Sequence, residues 1–358
     1  MPETTVEACG PATWVRATVG DPFLPLDPAM RAELAGAIRM LDAAERADPV
    51  NLERSRFALP TMDRLLARAR DEVKSGRGFV LLRGLPFEDL SLEEFTACVW
   101  AIGTRFGHSL SQNAQGQLIT SVIDASGVDA TPRMFRSNLE LRLHSDITAI
   151  IGLACWQPAA TGGLSYLASA GAIHNAIRAA SPHLLEPLYC GYHHHRVGEE
   201  APDEEPTTPY RVPVFAWRSG QLSCRYQRAG IAAGHKGRGV PLTDLDIAAL
   251  DAFDAAARAP ENRFEYNMQR GDMLIINNYA VLHARTGFTQ FPEPERARRL
   301  VRVWMDEPGF RDVPPEFNLM RGSNGIPPQP GRECTYDFKA LYASDPRASG
   351  GVPKLEKV

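Results

Sequence analysis

A histidine and an aspartate two residues apart, His144 and Asp146, offer the first recognisable chemistry in this sequence. They end a strand-like run that begins at Leu139, and the side chains of an extended chain alternate between two faces. Both side chains would therefore point to one side, where an imidazole and a carboxylate can bind the same metal ion. The spacing alone decides little, because a His-x-Asp/Glu pair is expected about once by chance in such a chain.

A third candidate ligand, His283, follows the apolar strand-like run 273–276. Together with His144 and Asp146 it would complete a 2-His-1-carboxylate set, which holds Fe(II) on one face and leaves the other positions of the ion open. The alternative is a hydrogen-bonded histidine in a loop.

Two arginines, Arg298 and Arg302, share one face of a predicted strand with Leu300 between them. Guanidinium groups on an apolar-rich strand require anionic partners and could bind two carboxylates bidentately. The alternative is an edge strand with solvated charges. Earlier in the chain, Gly162-Gly163 would let the backbone approach a ligand, and the Ser165 hydroxyl could hold a carboxylate, unless this segment is only a hairpin turn.

Other polar segments compete with these residues. The run 193–195 is three histidines, but neighbouring strand residues point to opposite faces and no carboxylate lies at a suitable spacing. Residues 230–239 lack the phosphate-binding pattern of glycines followed by lysine, and we predict a flexible loop there. Arg225 lies on a predicted strand that could face the pocket, with a structural role as the alternative.

These residues need elements to position them. We predict helices from Pro28 to about Ala47, after Pro60, from the capping box Ser91-Leu-Glu-Glu94 to about Phe106, and over 170–180 and 243–258. From about residue 118 the pattern changes to short strands separated by turns, which predicts a sandwich, barrel or jelly roll. The acidic segment 198–208 is predicted to be a solvated loop.

Composition narrows the class of protein. The 358 residues are 44% hydrophobic, enough for a sizeable core, and the net charge of −4 argues against nucleic acid as a partner. The six cysteines form no Cys-x-x-Cys pair, and the N-terminus lacks the pattern of a signal peptide, so we expect a cytoplasmic protein. No apolar run is long enough to span a membrane. We expect a small-molecule partner, and leave open whether the chain forms a homo-oligomer.

Taken in order, these elements resemble the TauD/TfdA branch of the Fe(II)/2-oxoglutarate-dependent dioxygenases. The matching segments are the run Asn138–Asp146, Gly162-Gly-Leu-Ser165, Gly271-Asp272, Asn277–His283 and Arg298-x3-Arg302-x-Trp304. The resemblance extends from about Phe79 to Asp306 and implies a mixed α+β protein, mainly β, with a double-stranded β-helix (jelly-roll) core and flanking helices. We expect a single catalytic domain over 1–358, with a mainly helical part at 1–117, the core at 118–306 and a C-terminal extension at 307–358.

The resemblance also implies roles for individual residues. The implied iron ligands, and with them the catalytic residues, are His144, Asp146 and His283. The implied contacts to the distal carboxylate of 2-oxoglutarate are Ser165 and Arg298, with Arg296 and Arg299 as alternatives to Arg298. The implied or candidate contacts to the primary substrate are Arg302, Asn138 and Arg225, and Arg302 would hold an acidic group.

The activity implied is oxidation of a small anionic organic substrate with Fe(II), 2-oxoglutarate and O₂, releasing succinate and CO₂. The carboxylate at Asp146 favours hydroxylation, because relatives that halogenate have a small residue in its place. Two alternatives are a non-catalytic jelly-roll protein that binds a metal or ligand, and a cupin-type metalloenzyme that does not use 2-oxoglutarate. Ser165 and Arg298 argue against both, since neither alternative requires a dicarboxylate clamp.

Overall fold

The computed structural model describes residues 4–125, 136–322, 324–329 and 331. Its helices lie in the first third of the chain and between the strands of the second half. Their bounds are α1 Pro28–Arg39, α2 Ala43–Ala47, α3 Pro60–Lys74, α4 Leu92–Gly103, α5 Ala170–Ala180, α6 Leu185–Cys190, α7 Arg228–Arg238 and α8 Asp244–Arg258.

Polar caps set where several helices begin. Ser91 and Glu94 form a reciprocal capping box at α4, which confirms the predicted start of that helix. The single helix predicted from Pro28 to Ala47 is wrong, because the chain forms two helices there. Asp42 accepts the backbone N–H of Glu45 and its own N–H donates to the Glu45 carboxylate, so a second capping box starts α2.

The described strands form two main sheets. Their bounds are β1 Phe23–Pro25, β2 Phe79–Arg83, β3 His108–Leu110, β4 Ile119–Ile123, β5 Leu141–His144, β6 Ile150–Gln157, β7 Thr161–Gly162, β8 Ser165–Ser169, β9 Phe215–Arg218, β10 Gln221–Cys224, β11 Arg263–Tyr266, β12 Asp272–Asn277, β13 Val281–Arg285, β14 Phe288–Thr289 and β15 Arg299–Asp306. The larger sheet has the order β1-β2-β12-β6-β15-β3, with β4 also paired to β15. The smaller sheet has the order β11-β8-β13-β5, and the pairs β9-β10 and β7-β14 lie outside both.

The larger sheet is buried on both faces. Val80 and Leu82 of β2 belong to the apolar cluster shared with α1, α3 and α4. Phe79 and Leu81, which point to the other side, belong to a cluster shared with Leu167 of the smaller sheet. This double burial explains the continuous apolar run of β2. The two sheets therefore pack face to face, and the pocket described below lies between them.

Tertiary contacts overturn two predictions about loops. Residues 230–239, predicted to be flexible, mostly belong to α7, and a side-chain carbon on Gly234 would lie 2.3 Å from the backbone oxygen of His193. Glycine thus lets this helix pack against that backbone. The acidic segment 198–208 is not fully solvated either, because Glu199 is buried and accepts the backbone N–H of Ala114 at 2.7 Å.

Within the described ranges, no helix has the length and apolar character needed to cross a membrane.

Candidate metal centre and adjoining pocket

Strand pairing brings the two candidate histidines together. His144 is the last residue of β5 and pairs directly with His283 of β13, so their rings lie side by side with centroids 4.3 Å apart. Asp146 follows two residues later, and its backbone N–H donates to Asn278 Oδ1 at 3.1 Å. One ligand atom from each of His144, Asp146 and His283 lies within 4.8 Å of the others. The residues predicted from the sequence as metal ligands thus form one cluster.

Hydrogen bonding prepares His144 for a metal ion. Its Nδ1–H donates to the Arg142 carbonyl at 2.8 Å, which leaves the lone pair of Nε2 facing the cluster, 3.3 Å from Asp146 Oδ1. Burial lowers the pKa of His283 to about 3, so its ring is neutral at physiological pH. Two imidazole nitrogens and one carboxylate oxygen are a donor set that fits Fe(II).

The Asp146 carboxylate is held by two donors from β15. Arg302 Nη1 and Trp304 Nε1 each lie 3.1 Å from Asp146 Oδ2, whereas Oδ1 faces His144. Burial would raise the pKa of Asp146, but the positive charge of Arg302 is the largest of the effects that outweigh it, and that pKa lies well below its usual range. The carboxylate is therefore ionised and oriented with one oxygen toward the cluster.

The Arg302 side chain is itself fixed by Gln112. Arg302 Nε donates to Gln112 Oε1 at 2.7 Å, and Gln112 Nε2 donates back to the Arg302 carbonyl at 3.0 Å. No pattern in the sequence indicates Gln112, because an isolated glutamine in no motif carries no signal. Trp304 has no role predicted from the sequence, although the alternation along β15 places it on the same face as Arg302.

A pocket that is lined by Arg298 adjoins the metal cluster. Arg298, Leu300 and Arg302 all line it, as the alternation predicted, together with His144, His283 and Ser165. The Arg298 side chain is 5% exposed, its guanidinium lies 4.9 Å from the centre of the Phe288 ring, and among the described residues no carboxylate forms an ion pair with it. Burial lowers the pKa of Arg298. The buried Arg298 guanidinium can therefore bind an anion that enters the pocket.

The neighbouring arginines are placed differently. Arg296 is exposed, contacts Glu293 at 3.5 Å and lies over the Phe291 ring. Arg299 is half-buried in the strand and does not line the pocket. Arg285, which the sequence analysis did not single out, lines it and lies two residues after His283, so period-two alternation could have found it.

The two remaining candidate substrate contacts lie away from this pocket. The Asn138 side chain is exposed, and its backbone oxygen accepts the N–H of Phe288. Arg225 is buried behind Asp146, donates to the Asp146 backbone carbonyl, and lies 5.3 Å from the centre of the Tyr279 ring. Their predicted roles as substrate contacts therefore stay predictions.

The rival histidine run forms no comparable cluster among the described residues. Residues 193–195 were expected to be extended strand, which is wrong, because this part of the chain forms only isolated bridges, at Tyr192 and His195. His193 Nδ1 donates to the Thr208 carbonyl at 2.9 Å, and His195 Nδ1 accepts the backbone N–H of Val197 at 2.9 Å. His194 is fully buried, which lowers its pKa to about 3.

Comparison with known proteins gives matches over most of the chain. The family model "Taurine catabolism dioxygenase TauD, TfdA family" matches residues 43–304. The FR-33289 synthase of Streptomyces rubellomurinus is 31% identical over 326 residues, which cover 87% of this chain and 94% of that protein. The taurine hydroxylase-like protein SAT17 of Stachybotrys chartarum is 28% identical over 282 residues, 75% of this chain and 71% of that protein.

Solved structures share the fold at lower identity. An asparagine oxygenase in complex with Fe(II), 3-hydroxyasparagine and succinate matches with a TM-score of 0.63 and 19% identity, covering 79% of this chain and 93% of that one. The non-heme iron oxygenase OrfP in complex with Fe and alpha-ketoglutaric acid matches with a TM-score of 0.59 and 18% identity, covering 80% and 94%.

Proposed function

Because this chain belongs to the TauD/TfdA family of Fe(II)- and 2-oxoglutarate-dependent dioxygenases, we propose that it hydroxylates a small anionic organic substrate. The observation that carries the proposal is the cluster His144, Asp146 and His283 beside a pocket that the buried Arg298 lines. In the balanced reaction, one oxygen atom of O₂ enters a C–H bond of the substrate and the other enters succinate, while 2-oxoglutarate loses CO₂.

In this proposal the three ligands hold the iron, and the pocket holds the cosubstrate. When bound, Fe(II) and 2-oxoglutarate together activate O₂ and supply the oxidising equivalents. Arg298 and Ser165 bind the distal carboxylate of 2-oxoglutarate and so orient its keto acid end toward the ligand cluster. Leu300 and other apolar lining residues keep water away from the reacting centre. The carboxylate at Asp146 supports oxygen transfer over halogenation, which needs a free position in its place.

The charge of the pocket supports an anionic substrate. Three positive charges line the pocket, on Arg285, Arg298 and Arg302. Two negative charges oppose them: Asp146 in the ligand cluster, and Asp124, whose charge raises the pKa of Arg285. A ferrous ion would add two positive charges and 2-oxoglutarate two negative ones. Among these described groups an excess of positive charge remains, which favours an anionic substrate over a neutral or cationic one.

Arg302 has two candidate roles under this proposal. The sequence predicts that it holds an acidic group of the substrate, whereas its contact with Asp146 Oδ2 supports a role in orienting the iron ligand. We further propose that the two sheets form the double-stranded β-helix of the family, and that residues 1–358 act as one catalytic domain.

The test is succinate formation from 2-oxoglutarate with Fe(II) and O₂, measured with a panel of small carboxylates, sulfonates and phosphonates and with their neutral esters or amides. We expect anionic compounds to stimulate turnover and to become hydroxylated, and their neutral counterparts to have little effect. His144→Ala should abolish turnover, and the matched variant of the exposed His183, His183→Ala, should retain it. A protein that binds neither Fe(II) nor 2-oxoglutarate would refute the enzymatic function, and equal stimulation by neutral compounds would refute the anionic substrate.

A further inference from the structure

Two rows of paired side chains cross the smaller sheet on the side that faces the pocket. The first joins His144, His283 and Leu167 through direct pairing of β5, β13 and β8. The second row joins Arg285 to Ser165, and each of these lies two residues from the first row on its own strand. Paired residues share a face, and so do residues two apart on a strand, so both rows point into the same space.

Tyr266 completes the second row. It pairs with Ser165 across β11 and β8, and it lines the pocket with Arg298. Two residues of a strand span about 6.7 Å, which separates this polar row from the row that carries the metal ligands. That separation is comparable to the distance from the keto carbon of 2-oxoglutarate to a donor on its distal carboxylate, a path of three carbon–carbon bonds, one carbon–oxygen bond and one hydrogen bond.

The Tyr266 hydroxyl has no partner that explains its burial. The residue is 6% exposed, and its oxygen makes no hydrogen bond with any described residue. Ser165, its cross-strand neighbour, acts to lower the pKa of Tyr266, but the geometry gives no hydrogen bond from either hydroxyl to the other. Buried hydroxyl groups in native proteins are nearly always hydrogen-bonded, so an unpartnered one beside a ligand pocket indicates a bond that forms with the ligand. Burial also raises the pKa of Tyr266, so it keeps its proton and can donate.

We propose that the Tyr266 hydroxyl donates a hydrogen bond to the distal carboxylate of 2-oxoglutarate, next to Arg298 and Ser165. The inference rests on the proposed function. It adds a cosubstrate contact that the sequence analysis did not identify, and it makes the two-residue offset between the rows a determinant of cosubstrate length.

Tyr266→Phe tests this directly, because it removes only the hydroxyl. The affinity for 2-oxoglutarate is measured in the full chain loaded anaerobically with Fe(II), from the visible charge-transfer band of the complex. The affinity for 2-oxopentanoate, which has a methyl group in place of the distal carboxylate, is measured by competition. We expect the variant to weaken 2-oxoglutarate binding about 10- to 100-fold, the range for a hydrogen bond to a charged group, and to leave 2-oxopentanoate binding unchanged.

Tyr192→Phe is the matched control. The Tyr192 hydroxyl is also buried, and no residue that the structure describes hydrogen-bonds it. Tyr192 does not line the pocket, so removal of its hydroxyl should not change the affinity for 2-oxoglutarate. The melting temperature of the cosubstrate-free Tyr266→Phe protein should be unchanged or raised, because an unsatisfied polar group has been removed. A lowered melting temperature with the same affinity would indicate a structural role and would overturn the proposal.

Two further outcomes separate this inference from the function on which it rests. If Tyr266→Phe weakens 2-oxoglutarate and 2-oxopentanoate equally, the hydroxyl does not recognise the distal carboxylate, and the inference is wrong although the enzyme remains a 2-oxoglutarate-dependent dioxygenase. If the wild-type protein binds no 2-oxoglutarate, the proposed function fails first, and the inference falls with it.

Discussion

Replacing Arg302 distinguishes its two candidate roles. Its guanidinium lies 3.1 Å from Asp146 Oδ2, the oxygen that faces away from His144, and Trp304 Nε1 shares that oxygen at the same distance. If these donors orient Asp146, their loss should weaken the binding of the metal ion. If Arg302 instead holds an acidic group of the substrate, its loss should raise the KM for the substrate and leave metal affinity unchanged.

The magnitude follows from the hydrogen bonds. A hydrogen bond between charged groups contributes about 1.5–3 kcal/mol, which corresponds to about 10- to 100-fold in a dissociation constant. Loss of an outer partner of a metal ligand typically costs a similar factor in metal affinity. The neutral N–H of Trp304 contributes about 1 kcal/mol, or about fivefold. We therefore expect Arg302→Gln to weaken Fe(II) binding about 10- to 100-fold and Trp304→Phe to weaken it about fivefold.

The assay is anaerobic titration of each variant with Fe(II), and with Mn(II) as a redox-inert substitute, followed by KM values for substrate and 2-oxoglutarate. Glutamine keeps most of the side-chain volume and a donor, which reduces the cost of leaving the buried Asp146 without its cation. Arg299→Gln, on the same strand but outside the pocket, is the control and should bind Fe(II) normally. An Arg302→Gln protein with wild-type Fe(II) affinity and a raised substrate KM alone would refute the orienting role and support the role predicted from the sequence.

Two further predictions concern the pocket and the fold. Arg298→Gln should weaken 2-oxoglutarate binding about 100-fold, because a bidentate bond to the distal carboxylate is lost. Arg299→Gln should leave this binding unchanged. The reverse result would show that Arg299 binds the distal carboxylate. Asp272→Asn should lower the free energy of unfolding by about 2 kcal/mol in urea titrations, because the buried Asp272 carboxylate accepts Arg83 Nε at 2.9 Å and Nη2 at 3.1 Å. Asp203→Asn breaks a fully exposed ion pair and should produce no measurable change, and an equal loss in both variants would contradict the argument.

Features that depend on short stretches of chain could be predicted from the sequence. The capping box at Ser91 and the apolar run of β2 were both found, because a cap or a buried strand is specified by residues within a few positions of one another. The same locality made His144 and Asp146 recognisable as a pair, since residues two apart in an extended run are expected on one side, although β5 itself ends at His144. The one helix predicted over 28–47 failed because a second local signal, Asp42, was overlooked.

Features that depend on distant pairing were decided by the tertiary structure. Only the register of β13 against β5 sets His283 beside His144, and only the approach of β15 gives Asp146 its partner Arg302. The glycines in 230–239 predicted a loop, because glycine disfavours helix. The chain is helical there, and Gly234 lets α7 pack closely against the backbone of His193.

The sequence by itself therefore determined which residues could bind a metal ion and an anion, because residue type and strand alternation are local properties. The tertiary structure decided which of these residues meet. It buried Arg298 in the lining of the pocket and paired Arg302 with Asp146. It also placed Tyr266 in the lining of the same pocket, with a hydroxyl that no described residue hydrogen-bonds. Register and burial arise from contacts between residues far apart in the chain, and no pattern along the chain specifies them.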